Sequence, residues 1–467
     1  MAQIPILSGI YTNEAPDFRP AYPRNLTPTA TNQGISNGYL RPAPGLVGIG
    51  SGPGTPRGGI VWEGRAYRVM GSKLCEQSST GSITVLADVG PGAQASLDYG
   101  YGRLAVASGG SLYYWTGSAL EKVTDTDAGN VLDVVWIAGY YAFTDGTNLI
   151  VTDLTDPLSV NPLRYGSSEF DPDPIVGVDE LRNELYAFNR NSIEPFQNVG
   201  GNAFPFQRIE GAAVPRGPVG THTFCKYLET FAFMGSGRNE AIGVFLTLPG
   251  DSQRISTPGI EATLQEYTEA ELAAAIVECR VQQATSVLYI HLTDQTLCFD
   301  SAMSKVVGEP VWYTLTTSIV DRGQYRARDF LWAYDKWTAA DPAGTAICRL
   351  DETISTHYGA VNGWQFETVA LYNEGRGALV HDLELVARTG QVNVNARPVV
   401  WHSYSNDGVT YSQERPTAAG VRGDRGKRIA WRSQGRLANW RTLRFRGTSD
   451  AHIAMARLEA RLEALND

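Results

Sequence analysis

Tyr67-Arg68-Val69, Leu104-Ala105-Val106, Tyr141-Ala142-Phe143, Tyr186-Ala187-Phe188 and Phe231-Ala232-Phe233 are five versions of one short apolar strand centre. Their starts are spaced by 37, 37, 45 and 45 residues, near the ~40–50-residue period of propeller blades. Polar turns of one kind follow, at Met70-Gly71-Ser72-Lys73, Ser108-Gly109-Gly110-Ser111, Thr144-Asp145-Gly146-Thr147 and Asn189-Arg190-Asn191-Ser192, and each leads into a second apolar strand. A strand, a tight turn and a strand at near-constant interval predict an array in which each unit buries its faces against the next. Tyr289-Ile290-His291 and Phe330-Leu331-Trp332 extend the series to seven hairpins. The fold class is all-β, a β-propeller of six or seven blades, the smaller number applying if the last hairpin belongs to the following domain.

Upstream, residues 3–58 hold prolines at 5, 16, 20, 23, 28, 42, 44, 53 and 56 with few apolar alternations. Residues 1–58 are therefore expected to form an extended Pro/Gly-rich arm with little sheet of its own, lying on something else. Residues 59–364 make the propeller. Within it, 260–279 changes period: Thr268 and Glu271 form a capping box, and Leu272, Ala275 and Ile276 follow at helical spacing. An inserted helix of about three turns is expected there. From 365 to 467 the alternating runs lengthen, as in Leu379-Val380-His381-Asp382-Leu383-Glu384-Leu385-Val386, and Asn406-Asp407-Gly408 reads as a hairpin turn. A β-sandwich is expected, ending in a strand near Ile453 and a short helical tail through Leu458, Leu462 and Leu465.

Composition narrows the function. The 467 residues carry 39 Lys+Arg against 49 Asp+Glu, a net −10, so no global positive field holds the chain on nucleic acid or an anionic membrane. Gly 49 and Pro 24 make up roughly 16% of the chain against a usual ~12%, which favours many turns and short strands. The five cysteines (75, 225, 279, 298, 348) are odd in number and form no C-x-x-C pair, so neither a disulfide framework nor a zinc site is indicated. They read as small buried hydrophobes of a reducing cytosol. The first ten residues lack a secretion signal, and no apolar run reaches the ~18 residues of a membrane span, so synthesis and folding in a cytoplasm are expected.

No P-loop, zincin or nucleophile-elbow motif occurs. The glycine-rich 48–59 lacks the Lys-Ser/Thr of a phosphate cradle and reads as a linker. Asp125-Thr126-Asp127-Ala128-Gly129-Asn130 resembles the start of a calcium loop, but Trp136 stands where the chelating Glu belongs, and a blade-connecting turn is preferred. Asp171, Asp173, Asp179, Glu180 and Glu184 are the acids from which a glycosidase pair would be drawn, solvated turns being the simpler reading. No catalytic, cofactor-binding or metal-binding residue is assigned. The charge feature above background is 415–446, with Arg415, Arg422, Arg425, Lys427, Arg428, Arg432, Arg436, Arg441, Arg444 and Arg446 against Asp424 alone. Leu443 and Phe445 alternate with Arg444 and Arg446, giving one apolar and one cationic strand face. This stretch is the candidate assembly or DNA-facing patch, a solvated sandwich face being the plain alternative.

Several segments resemble the packaged-DNA stabilisation proteins of short-tailed bacteriophages, which form the tail hub or nozzle. They include Gly38-Tyr39-Leu40-Arg41-Pro42-Ala43-Pro44-Gly45-Leu46, Ala66-Tyr67-Arg68-Val69-Met70-Gly71-Ser72-Lys73-Leu74, Ile150-Val151-Thr152-Asp153-Leu154, Gly220-Thr221-His222-Thr223-Phe224-Cys225-Lys226, Tyr267-Thr268-Glu269-Ala270-Glu271-Leu272, Ile290-His291-Leu292 and Gly408-Val409-Thr410-Tyr411. The resemblance runs almost end to end. It implies a structural virion protein without catalysis, cofactor or small-molecule substrate, assembled in the bacterial host cytoplasm as a homo-hexamer. That ring would sit in the tail below the portal and its adaptor, be plugged by the tail needle, carry tailspikes beside it, hold the double-stranded DNA and later pass it outward. The rival expectation is a propeller-fold tail protein that binds or cleaves host surface glycans.

Overall fold

The computed structural model describes residues 2–7, 22–31, 35–201, 203–282, 285–393 and 395–465. Among these, seven small antiparallel sheets follow one another along the chain, at 56–88, 96–122, 133–151, 175–208, 217–254, 276–315 and 328–351. They are blades 1 to 7 of a propeller. The seven-hairpin count is the correct one, and the six-bladed alternative falls. Tyr141–Phe143 and Tyr186–Phe188 both lie on second strands, Tyr140–Thr144 and Glu184–Asn189. Phe330-Leu331-Trp332 instead lies on a first strand, Arg328–Ala333.

The second strands are near-continuous apolar runs because both their faces are covered. Tyr140–Thr144 is buried at every position. Between blades 1 and 2 pack Tyr67, Val69, Leu104 and Val106; between blades 2 and 3, Tyr114, Phe143 and Ile150; between blades 4 and 5, Phe188, Phe231 and Phe233. No blade has a complete core of its own, so the ring must close to be stable.

Closure comes from the amino-terminal segment. The strand Gly45–Ser51 pairs with Ala346–Asp351 as the outer strand of blade 7, so one sheet joins residues from both ends of the propeller sequence. This corrects the expectation of a separate arm over 1–58. Ala2–Ile4, Leu26–Ala30 and Gly38–Pro42 join the sandwich, and Pro56–Trp62 already belongs to blade 1. The prolines obscured these strands. Pro28, for example, sits on Leu26–Ala30 at the edge of its sheet, where a missing N–H is tolerated. Prolines 16 and 20 lie outside the described residues.

The expected three-turn helix is two short ones, Pro258–Leu264 and Glu269–Ala273, which cover the seam of blades 5 and 6 with Ile260, Leu264 and Leu272. The capping box is present, since Thr268 accepts from the Glu271 N–H and Glu271 accepts from the Thr268 N–H at 2.8 Å. Ile276, read as helical, instead opens the strand Ile276–Gln282, its spacing having fitted either period. A third helix, Ser301–Val307, was not foreseen; it sends Met303 into the sandwich core.

The sandwich packs a six-stranded sheet on a five-stranded one. The first contains Ala378–Arg388, Ile429–Leu437 and Ala454–Ala464; the second contains Gly363–Glu367, Val399–Ser405 and Trp440–Thr448. Trp364, Phe366, Trp431 and Phe445 fill the space between them. A boundary at 364/365 would cut Gly363–Glu367. The expected helical tail is also corrected: Ala454–Ala464 is strand throughout. Its pairing shifts by one residue opposite Val386/Ala387, so the buried Met455 and Leu458 stand three apart and imitate a helix. Asn25 ties the domains together, its side chain donating to the Gly363 carbonyl at 2.6 Å and accepting from the Thr316 N–H at 2.8 Å.

Candidate functional site

The basic stretch divides into arginines that hold the sandwich together and cations that face solvent. Arg441 is fully buried; its Nε donates to Asn406 Oδ1 at 3.0 Å, and its two terminal nitrogens donate to the carbonyls of Gln434 and Arg436 at 2.9 and 2.6 Å. Its guanidinium lies 3.9 Å from the centre of the Tyr404 ring. Burial lowers its affinity for its proton. Leu443 and Phe445 point inward as the alternation predicts. The opposite face of that strand is cationic only in sequence. Arg444 donates to Glu367 at 2.6 Å and stacks over Tyr411, while Arg446 grips Glu414 and stacks over Trp401 at 4.7 Å. Arg428 pairs with Glu384, and Arg415 donates to the carbonyls of Arg432 and Ser433 at 2.7 and 3.1 Å.

Arg422, Arg425, Lys427, Arg432 and Arg436 remain, all exposed and none in an ion pair among the described residues. Arg432 and Arg436 stand on Ile429–Leu437, the edge strand of the six-stranded sheet. Ser433 and Gly435 take φ of +55° and +78°, and the pairing shifts opposite Val380/Asp382. A bulged, charged edge resists addition of another strand and leaves side chains to make any contact. Arg422 and Arg425 also line a cleft of about 440 Å³ with segments 353–356, 390–393 and 449–452.

The second concentration of charge is at the propeller axis, where strands and loops from all seven blades surround a cavity of about 390 Å³. Asp98 of blade 2 accepts the Trp136 N–H of blade 3 at 2.6 Å, and Asp133 of blade 3 accepts the Val178 N–H of blade 4 at 3.0 Å. Asp179 of blade 4 faces Lys226 of blade 5 at 3.2 Å, and Glu278 of blade 6 accepts the Asp329 and Phe330 N–H groups of blade 7 at 3.0 and 2.8 Å. Gln94 closes the series by donating to Asp329 at 2.6 Å. Desolvation pushes Asp133 up to about 7 and Asp179 to about 6, and pushes His222 down to about 4. The axial carboxylates thus bond one blade to the next.

The acids considered for a glycosidase pair are dispersed. Asp179 and Glu180 share Lys226, Asp171 pairs with Arg238, Asp173 accepts from the Asn191 N–H, and Glu184 accepts from Tyr186. Asp125 accepts the N–H groups of Asp127 and Val160, which makes the calcium-like segment a blade link. Among the described residues, no three His, Cys, Asp or Glu form a group that could hold a metal ion. Sequence reading missed Asp98, Asp133 and Glu278. A signal was present: an acid after an apolar residue, on the first strand of the hairpin, in Leu97-Asp98, Leu132-Asp133, Val178-Asp179 and Val277-Glu278.

Fold and site define a seven-bladed propeller carrying a β-sandwich, with carboxylates stitching its axis and a basic ridge on the sandwich edge. Residues 2–355 match the family described as Bacteriophage P22 Gp10, beta-propeller, and residues 363–463 match Bacteriophage P22 Gp10, beta-sandwich. The chain belongs to the P22 Gp10 family. Tail hub protein gp10 of Salmonella phage P22 is 26% identical over an alignment of 483 positions, covering 99% of each chain. Solved structures are more distant. The WD40 domain of Neurospora crassa Pan2 has a TM-score of 0.42 at 9% identity over 66% of this chain and 96% of that one. The N-terminal domain of Nup159 has 0.41 at 8% over 70% and 99%.

Proposed function

We propose that this chain is a structural tail hub subunit of a bacteriophage, which closes the head after packaging, retains the genome and forms the channel for its ejection. The observation that carries this reading is the match of both domains, in order and over nearly the full length, to a relative named as a tail hub protein. Engagement of the axial carboxylates in inter-blade bonds supports a role without catalysis. A net charge of −10 supports a channel wall that repels the DNA backbone, so that retention is steric. The ring is a homo-hexamer in the virion tail, assembled in the host cytoplasm, with portal and adaptor above and needle and tailspikes attached. Particles produced without the chain should fill and then leak, measured as DNA that becomes accessible to nuclease. Full, nuclease-resistant heads in its absence would refute the reading.

A further inference from the structure

Charge is divided unequally between the two domains. Residues 59–362 carry 36 Asp+Glu against 20 Lys+Arg, whereas residues 363–467 carry 11 against 15. The positive excess is available at the sandwich edge, because Arg441, Arg444 and Arg446 are consumed internally and Arg422, Arg425, Lys427, Arg432 and Arg436 are not.

The negative excess also has a place. In an antiparallel blade, the turns joining second to third strands and the links between blades emerge on one face of the ring. On blade 3 and its link to blade 4 these are segments 123–132, 144–148 and 166–174, which contain Asp125, Asp127, Asp145, Glu169, Asp171 and Asp173 and neither Lys nor Arg; the matching turn of blade 4 carries Arg190, whose charge is taken by Glu269 at 2.8 Å. Arg238 reaches Asp171 from outside; Asp127 and Glu169 are exposed, and no ion pair holds either among the described residues. The sandwich contacts blade 6 through Asn25 and Met303, and the chain enters it directly from blade 7. In a ring of seven, blade 3 lies across the axis from that junction. Within one copy, the acidic loops and the junction that carries the sandwich therefore lie on opposite sides of the ring axis, and no ion pair joins the two patches among the described residues.

We propose that the ridge of Arg422, Arg425, Lys427, Arg432 and Arg436 docks on the acidic loops of blade 3 and its link to blade 4 in a second copy of this chain. Contact between two different patches is head-to-tail, the arrangement that generates a ring when its rotation closes. Complementary fields favour encounter in this orientation, and like-charged faces disfavour the alternatives. The edge bulge excludes strand addition, so the contact is one of side chains. The number of copies in the closed ring rests on the tail hub reading; the pairing of the two patches does not.

Charge exchange between full-length chains tests the pairing. One variant carries Arg425→Glu, Arg432→Glu and Arg436→Glu; the other carries Asp127→Lys and Glu169→Lys, positions whose side chains accept no backbone N–H among the described residues. Circular dichroism melts first establish that both fold. Chemical cross-linking of purified chain should give a dimer band that falls roughly tenfold or more in each variant alone. The band should return when the two are mixed, since each reversed patch then meets its complement, and when both sets of changes share one chain. Wild-type cross-linking by either variant, or loss that neither mixing nor combination restores, overturns the proposal. Duplex DNA retardation that the arginine variant abolishes while its cross-linking stays normal also overturns it and assigns the ridge to nucleic acid. Incorporation into particles is scored separately: wild-type chain that cross-links but is absent from virions would refute the tail hub reading and leave the pairing standing.

Discussion

Arg68 closes the propeller from the inside, and replacing it by methionine should open the seam between blades 1 and 7. The side chain is fully buried in blade 1. Its Nε donates to Gln77 at 2.7 Å, one terminal nitrogen donates to the Asp329 carbonyl of blade 7 at 2.8 Å, and the other donates to Thr338 of blade 7 at 3.0 Å. Asp329 itself has φ +57°, so the guanidinium also pins a residue in a sparsely populated conformation. Methionine conserves the volume and strands three acceptors at about 1–3 kcal/mol each, partly offset because a buried cation no longer has to be desolvated. Burial lowers the proton affinity of Arg68, which is the sign of that offset. The net loss is about 3–5 kcal/mol. With an unfolding entropy near 2.1 cal/mol/K per residue over roughly 300 residues, that corresponds to a fall of about 5–8 °C in melting temperature. Differential scanning calorimetry measures the fall, and hydrogen exchange should accelerate first in Arg65–Met70 and Lys336–Ala340. Arg65→Ala is the control on the same strand, because Arg65 is exposed and its 3.3 Å pair with Glu76 contributes under about 1 kcal/mol. A melting temperature for Arg68→Met within 1–2 °C of wild type, or no difference from the Arg65→Ala control, would refute the view that this residue closes the ring.

The propeller was legible because its repeat is local. Each hairpin lies within about 20 consecutive residues, so turn chemistry and apolar runs reveal it without knowledge of the ring. What was hidden depends on distant partners. Gly45–Ser51 is a strand only because Ala346–Asp351 lies beside it, about 300 positions later. Leu26–Ala30 contains a proline that a central strand would reject and an edge accepts. The three-residue step from Met455 to Leu458 is a bulge that only the register against Val386/Ala387 exposes.

The basic stretch was legible as composition and opaque as a surface. Sequence placed Arg441, Arg444 and Arg446 beside Arg432 and Arg436 as equals. The structure separates them: Glu367 and Glu414, which lie outside the stretch, hold Arg444 and Arg446, and Asn406 with two backbone carbonyls holds the buried Arg441. The axial carboxylates left a local pattern, but their role was hidden for a related reason. An isolated Asp in a strand reads as a polar turn end until the neighbouring blade supplies the N–H it accepts.

Two further predictions follow from these groups. The Asp133 carboxyl is raised by burial to about 7 in the folded chain, so the stability it contributes is full below about pH 4 and is lost as pH rises through 7; His222, depressed to about 4, acts in the opposite sense below its unfolded value. Asp133→Asn should therefore relieve about 2–3 kcal/mol of the change between pH 5 and 8, and parallel melting curves for wild type and variant across that range would refute the assignment. The other compares arginines a few positions apart. Arg441→Ala removes a buried cation and leaves the Gln434 and Arg436 carbonyls and Asn406 unpaired, a loss of about 3–5 kcal/mol from the sandwich. Arg432→Ala and Arg436→Ala remove side chains that reach into solvent, and each should change stability by no more than about 0.5 kcal/mol. Urea denaturation followed by tryptophan fluorescence measures both, since Trp431 and Trp364 lie in the sandwich core. Equal losses at Arg441 and Arg436 would mean that the exposed ridge is part of the fold's own support, and the division between structural and free cations, on which the docking argument depends, would fail with it.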